Sequence, residues 1–576
     1  MSDETNGTSS PEQYAIGLSF GNSYSSIAHI SQDGKVEVIA NEEGDRQIPS
    51  ILSYVDGEEY HGTQAKAQLV RNAKNTIASF KDYIGKPYKS IDPTPCHYSA
   101  HPTESDGKVV FTVQDKEGDA TSNVSVSEVT TRHIKKLRAS AADFTGKNIT
   151  SAVVTVPTDT TTEQKAALAK AAKDANVEIL QFINEPIAAL LAYDSRMPEA
   201  VQDRIILVAD FGGTRSDAAV VVATGGGLYS ILATLHDYEL GGSNLDQVLI
   251  DHFAKEFEKK NKTDPRKNDR SLAKLKLESE AVKKALSQSA AATCSIESLA
   301  DGVDFRSTIN RTRFQLLSVK VFQRFTRMIE EIVKKAGLDV LNIDEVILSG
   351  GTSHVPKIAE NIQALFPESV QVFAPATSTA ALNPSELSAR GAAIQASMIQ
   401  EFDKEDIEQS THEMVTVTPH TQYAIGVQVT GDPADAFTVI VPSTTAVPAR
   451  KTKTINAPEG DVLVVVSEGE SDIKVTKPEP KTKTKGATVE DADDEDDDDD
   501  DEDEEDEEEE IREKVYKVKK QLAEFQFTGL KKGAKLEVTV NVDSDLGLSI
   551  TAREAKGKGG VRGALEKPKV TENGSA

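Results

Sequence analysis

Two short glycine turns of one design, roughly 190 residues apart, constrain this 576-residue chain more than any other feature. The first lies in Gly17-Leu18-Ser19-Phe20-Gly21-Asn22-Ser23-Tyr24, the second in Ala209-Asp210-Phe211-Gly212-Gly213-Thr214-Arg215-Ser216. In each, an apolar strand enters a Phe-Gly turn and a second apolar strand leaves it. Glycine lets backbone N–H groups come close to an anion, so two such turns facing each other would grip a polyphosphate. They differ in one telling way: Asp210 stands in the second where the first has Ser19. A phosphate clamp with a carboxylate missing from one half points to nucleotide binding with impaired hydrolysis.

From Tyr14 to about Gln400, strand-like apolar runs alternate with helical stretches, the pattern of an α/β fold. Strands are read at Ala15–Phe20, Ser26–Ile30, Ala152–Val156, Ile205–Asp210, Ala218–Val222 and Glu345–Ser349. Helices are read at Thr162–Ala175, Pro186–Tyr193, Leu245–Lys259, Ser271–Ser287 and Arg313–Ala336, with Thr161 to Gln164 as a capped start. Residues 401–416 form a polar linker. Beyond it, short alternating strands at Thr438–Pro442, Asp461–Ser467, Lys535–Val542 and Gly547–Ala552 predict a small β-sandwich-like domain over 417–560. Ile511 to Phe525 is charged and reads as a short helix. Residues 1–13 are expected to be disordered, and 561–576 a Gly/Lys-rich tail with no room for a helical subdomain.

The formal charge of −28 is concentrated in one place. From Glu490 to Glu510 every residue but Ala492 is acidic, so the rest of the chain carries only −8. Such a run repels itself and cannot bury apolar surface, which makes 478–510 an expected disordered insertion in the β domain. It reads either as a solvated loop or as a contact for a very basic partner, one that could also hold RNA. Cys96 and Cys294 lack metal-ligand spacing, which supports neither a disulfide framework nor zinc. No apolar run reaches the ~18–20 residues that span a bilayer, and Met1 to Ser10 is unlike a secretory or transit signal. The cytosol is the expected compartment, the nucleus the second choice.

These pieces in order resemble the seventy-kilodalton heat-shock protein family. Gly17–Ser23 matches its G-I-D-L-G-T-T turn, Ala152–Pro157 its A-V-I-T-V-P, and Ile183–Pro186 its I-N-E-P. Asp210–Asp217 matches D-L-G-G-G-T-F-D, Leu240-Gly241-Gly242 matches L-G-G, and Ser349–Thr352 with Pro356 matches V-G-G-S…P. Ser19, Thr214, Arg215 and the expected absence of a helical lid bring the chain closest to the atypical branch paired with the J-protein zuotin in the fungal ribosome-associated complex. The implied fold is a duplicated actin-like (ribonuclease H-like) two-lobed nucleotide-binding domain over 14–400, followed by a lidless β-sandwich domain.

The resemblance implies ATP, with Mg²⁺ if a metal is bound, held by Gly21, Asn22, Ser23, Gly212, Gly213, Thr214, Arg215, Gly241 and Gly242. Asp210, and Glu185 through water, would place the metal; without an acid at Ser19 that placement weakens. By itself Glu185 also reads as a helix-start carboxylate. Lys81 matches the lysine that positions the attacking water, and otherwise reads as a surface lysine. With Glu185 and Asp210 it forms a catalytic remnant not expected to be competent. The Arg215 fork either grips phosphate oxygens or fills the space that water needs. Glu280, Lys283, Lys284 and Ser287 match the adenosine contacts, at spacings that share one helical face, a face that otherwise reads as solvent-exposed. Gly350, Gly351 and Thr352 would border the ribose and base, His354 would stack on adenine, and Ser385 replaces a further acid.

Before Val417-Thr418-Pro419, the family's apolar linker is replaced by Thr411-His412-Glu413-Met414-Val415-Thr416, in which His412 reads as an exposed loop residue. A polar linker and no lid argue against cycling on clients. The implied function is an ATP-binding, hydrolysis-deficient subunit in a heterodimer with a ribosome-bound J-protein. It would reach the ribosome through that partner, and an active chaperone and nascent chains indirectly. No membrane and no direct nucleic-acid contact are expected. The alternatives are an active peptide-binding ATPase chaperone, a nucleotide-exchange factor and, remotely, a sugar kinase.

Overall fold

Both glycine turns sit at the edge of the same strand pattern, built twice. In the first sheet the spatial order is Glu178–Asn184, Ile149–Val156, Tyr14–Phe20, Tyr24–Ile30, Val36–Ile39. In the second it is Gln371–Phe373, Glu345–Ser349, Arg204–Phe211, Ser216–Thr224, Leu228–Asp237. Each sheet has two parallel junctions followed by two antiparallel ones. The central hairpins close in the same register, Phe20 opposite Ser25 and Phe211 opposite Ser216. Parallel neighbours need helical crossovers, and these are supplied by Thr162–Asp174 in the first half and Pro356–Gln363 in the second. Thr161 caps the former through a reciprocal pair with Gln164, as read from the sequence.

This computed structural model describes residues 14–91, 99–114, 121–196, 203–224, 228–400, 402, 421, 423–430, 437–443, 445, 447–476, 511–543, 547–555 and 560–565. Two compact units divide the chain, Met1–Val417 and Thr418–Ala576. The N-terminal 1–13, the linker apart from residue 402, His412, the acidic insertion 478–510, Cys96 and the last residues of the tail lie outside the described residues.

In the first unit each sheet has its own apolar core, one around Phe20, Phe80 and Phe111, the other around Phe211, Phe253, Phe257 and Phe325. The helices Glu185–Asp194 and Leu387–Ile399 cross backbone to backbone. A Cβ on Gly391 would lie 1.8 Å from the Ala188 carbonyl oxygen, and one on Gly17 2.1 Å from the Ala393 nitrogen. Only glycine fits either place. The expected single helix Arg313–Ala336 is two, Arg311–Leu317 and Val319–Lys335, interrupted at Ser318. The second buries Phe322, Phe325, Met328, Ile329, Ile332 and Val333 on one stripe.

The second unit has two four-stranded antiparallel sheets over a shared core that includes Val464, Phe525, Leu536 and Val540. Here two expectations fail. Ile511–Leu530 is a strand, not a helix, paired with Gly460–Thr476 from Gly460 opposite Leu530 to Thr476 opposite Ile511. Its charges suggested a helix, but they lie across from opposite charges: Lys517 pairs with Asp472, and Lys519 lies 3.6 Å from Glu470. Residues 561–565 are not tail either, because Gly560–Leu565 adds a strand beside Leu548–Glu554.

Gly391→Val should destabilise the first unit towards the upper end of the ~1–3 kcal/mol typical of overpacking, because its obstacle is backbone. Thermal unfolding of the full chain checks this, with the transition of the second unit expected to stay in place.

Candidate functional site

The two turns close on themselves identically. The Gly21 N–H donates to the Tyr24 carbonyl at 3.1 Å, and the Gly212 N–H to the Arg215 carbonyl at 3.0 Å. They also face one another. A Cβ on Gly213 would sit 2.4 Å from Ser23 Oγ, and Asn22 Nδ2 donates to Thr214 Oγ1 at 3.1 Å. Asn22 is steadied from behind by Asp82, 2.7 Å away.

The other glycine segments converge on the second turn. The Gly242 and Ser243 N–H groups, at the start of helix Gly242–Asn261, donate to the Gly212 and Gly213 carbonyls at 3.0 and 2.8 Å. A Cβ on Gly241 would meet the Gly213 carbonyl at 2.7 Å. Thr352 Oγ1 donates to the Gly212 carbonyl at 2.8 Å. Gly350 takes a left-handed φ of 83°, and a Cβ there would lie 2.4 Å from the Phe211 carbonyl oxygen. Gly351 lies beside Ser385, whose Oγ is 3.1 Å from His354 Nε2; Asn383 Oδ1 is equally close to that nitrogen.

The three ionisable remnants also come together. Lys81 Nζ is 3.8 Å from Glu185 Oε1, and Asp210 accepts from Ser349 Oγ at 2.7 Å. Burial raises the Glu185 carboxyl to about 7 and the Asp210 carboxyl to about 6, with Lys81 pulling the other way on both. Ser19, the counterpart of Asp210, pairs with Ser26, whereas Asp210 pairs with Asp217. Of the two hairpins, only the second therefore carries acids at these paired positions.

Arg215 points at acids. Its Nε is 2.8 Å from Asp217 and its Nη2 3.0 Å from Asp159, and its guanidinium lies 4.7 Å from the Tyr238 ring centre. Burial opposes its charge, but Asp217 and Asp159 more than offset that. Asp159, Asp217 and His236 lie close enough together to hold a metal ion, and the Arg215 side chain bonds to each of them.

At the other end, Tyr24 and Lys66 from the first half meet helix Asp269–Gln288 of the second. Lys66 Nζ is 2.6 Å from Glu280, Lys284 is 2.7 Å from Tyr24 Oη, and the Tyr24 hydroxyl donates to Glu280. Burial opposes ionisation of Glu280, yet Lys66 and Lys284 hold its carboxyl well below the usual range. Lys283 is buried against Asp246 and the Gly242 carbonyl, at 2.9 and 3.0 Å. Ser287 turns back to the Lys283 carbonyl at 3.3 Å.

Reading the sequence missed Lys66, Asp82, Asp159, His236, Tyr238 and Asp246. Asp82 directly follows Lys81, and His236 and Tyr238 lie shortly before Leu240-Gly241-Gly242, so these three carried a positional signal.

A sequence profile described as Hsp70 protein matches residues 15–481. The chain belongs to the Hsp70 family. It is 43% identical over 550 residues to Ribosome-associated complex subunit SSZ1 of Saccharomyces cerevisiae, covering 96% of this chain and 99% of that one. A heat shock protein 70 homolog of Schizosaccharomyces pombe is 42% identical over 562 residues, with 96% of each chain covered. Heat shock 70 kDa protein 14 of Homo sapiens is 33% identical over 464 residues, 80% of this chain and 88% of that one.

Hsp70-family domains bind ATP, usually with Mg²⁺, and the residues present fit both. At Gly21, Gly213 and Gly242 a Cβ would collide with protein atoms within 3 Å, so only glycine lets these segments pack so closely around the turns. Asp82, Asp159, Glu185, Asp210 and Asp217 stand around those turns, so a polyanion needs an accompanying cation there. Glu185 and Asp210 are the oxygen donors suited to a divalent ion.

Raised carboxyl values fix the sign of a pH effect. Between about pH 4 and 7 the unfolded chain binds fewer protons at Glu185 and Asp210 than the folded one, so ligand-free stability falls as pH rises through that window. Glu185→Gln should therefore be more stable than the parent, the gap widening to about 1–3 kcal/mol by pH 7.5. Urea titrations at pH 5 and 7.5 measure it.

Proposed function

We propose that this chain holds ATP between the two turns as a structural ligand and hydrolyses it little or not at all. In this reading it is the heat-shock-like subunit of a heterodimer with a zuotin-like J-protein, cytosolic and ribosome-bound through that partner. The pair would help an active chaperone fold nascent chains. The observation that carries the hydrolysis deficit is the pairing of Ser19 with Ser26 where the other hairpin pairs Asp210 with Asp217. The assembly is suggested by the 43% identical yeast relative, whose name makes it a subunit of a ribosome-associated complex.

The domain plan proposed is an actin-like nucleotide-binding domain over 14–400 and a β-sandwich domain continuing to Leu565. Gly21, Asn22, Ser23, Gly212, Gly213, Thr214, Gly241 and Gly242 would cradle phosphates. Glu280, Lys284, Ser287, Gly350, Gly351, Thr352 and His354 would border the nucleoside. Lys283, held by Asp246, would brace the Gly242 end. The ion pairs of Arg215 with Asp217 and Asp159 favour the reading in which it takes up space beside the turn rather than gripping phosphate. Glu185 and Asp210 would accept the metal's water shell, and Lys81 would neutralise phosphate charge.

An active ATPase is the second reading, favoured by the convergence of Lys81, Glu185 and Asp210. A single-turnover assay with labelled ATP and Mg²⁺, following bound ATP and released phosphate together, separates the two. ATP is expected to stay bound and intact, and prompt release of phosphate would make the protein a working ATPase. Ser19→Asp restores the second carboxylate and should raise turnover about tenfold or more, with little change in ATP affinity.

A further inference from the structure

His133 lies in neither glycine turn and in none of the motifs above, yet it is fully buried on helix Val126–Thr145. Its Nε2 is 3.0 Å from Ser25 Oγ, Ser25 Oγ is 2.9 Å from Ser50 Oγ, and Ser50 Oγ is 2.7 Å from the Gly21 carbonyl oxygen. Ser25 and Ser50 are as buried as the histidine.

Proton supply fixes the direction of this chain. The Gly21 carbonyl can only accept, so Ser50 donates to it. Ser50 then has no hydrogen left for Ser25, so Ser25 must donate to Ser50. Ser25 has in turn spent its hydrogen, so it accepts from His133 Nε2–H. Any other arrangement leaves two oxygens, or an oxygen and a nitrogen, facing each other without a hydrogen. The imidazole is thereby a neutral Nε2–H tautomer, and its partnerless Nδ1 is a bare acceptor rather than an orphaned N–H. Burial agrees, pushing the imidazole down to about 3.

The relay ends on the first phosphate turn from two directions. Besides the hydroxyl bond to Gly21, the Ser50 backbone N–H donates to the Ser23 carbonyl at 3.0 Å. The imidazole is also wedged between two rings, 5.5 Å from Phe20 and 5.7 Å from Phe80. Phe20 enters the turn, and Phe80 immediately precedes Lys81.

We propose that His133 is a positioning residue for the phosphate site, donating through Ser25 and Ser50 to hold the Gly21–Ser23 turn and bracing the segment that carries Lys81. This rests on the reading of that turn as a phosphate cradle. The donor, not merely the bulk, is what the turn requires.

Three full-length variants test it. His133→Leu keeps apolar packing and removes the donor, and His133→Gln keeps an N–H donor. Leu137→Ala weakens the same helix four residues on without touching the relay. Hydrogen exchange of the backbone amides of residues 20–24 is measured without nucleotide, and ATP affinity separately. His133→Leu should speed exchange there about tenfold and weaken ATP by about tenfold, the size expected when one buried donor is lost. His133→Gln should recover most of both, and Leu137→Ala should leave residues 20–24 no faster than the rest of the first sheet. Unchanged exchange in His133→Leu, equal acceleration in Leu137→Ala, or no recovery in His133→Gln would each overturn the proposal. The exchange readout needs no ligand, so a parent chain that failed to bind ATP would refute the nucleotide reading and leave the relay still tested.

Discussion

Three segments close on the second glycine turn, two of them backbone to backbone, and its glycines have no room for side chains of their own. The first turn approaches through the Ser23 side chain, Gly242 and Ser243 donate their N–H groups to the turn's carbonyls, and Gly350 lies against the Phe211 carbonyl. Each approach needs a rigid element behind it, and the duplicated sheets supply those elements. Helix Leu387–Ile399 packs against both Tyr14–Phe20 and Glu185–Asp194, so contacts from both halves meet on one short helix. Small residues there let the carriers of the turns come close enough to share a ligand.

Electrostatics then decides what such a cleft can do. Hairpin register puts two acids on the second turn and two serines on the first, and Glu185 and Asp82 add carboxylates near Lys81. Arg215 would be expected to offset that negative charge towards a phosphate, but Asp217 and Asp159 already claim it. Binding groups are plentiful on this surface, whereas groups able to stabilise a departing phosphoryl group are few. That balance is what supports the proposal of a ligand held by backbone and left uncleaved.

Much of this was legible in the sequence, for identifiable reasons. Glycine motifs could be read because close backbone approach tolerates one residue type, and Glu345–Ser349 and Lys535–Val542 matched to the residue because the one announces itself by an apolar run and the other by strict alternation. Ile511 to Phe525 was misread as a helix because its lysines are balanced by Asp472 and Glu470 on a neighbouring strand, a long-range fact absent from local composition. The ends of the site followed the same rule. Glu280 and Lys284 share a helix and showed their spacing, but Lys66 and Tyr24, which complete their network, arrive from the other half. His133 was invisible, since a lone histidine on an apolar helix face gives no hint of a serine relay.

Phe20 opposite Ser25 and Phe211 opposite Ser216 close two turns of the same geometry inside one chain. The molecule thus carries its own internal comparator. Whatever glycine and main chain contribute to gripping an anion is common to both turns, and cancels when one is set against the other. What survives the subtraction is side-chain chemistry: hydroxyl against carboxylate at Ser19 and Asp210, amide against glycine at Asn22 and Gly213, phenol against guanidinium at Tyr24 and Arg215.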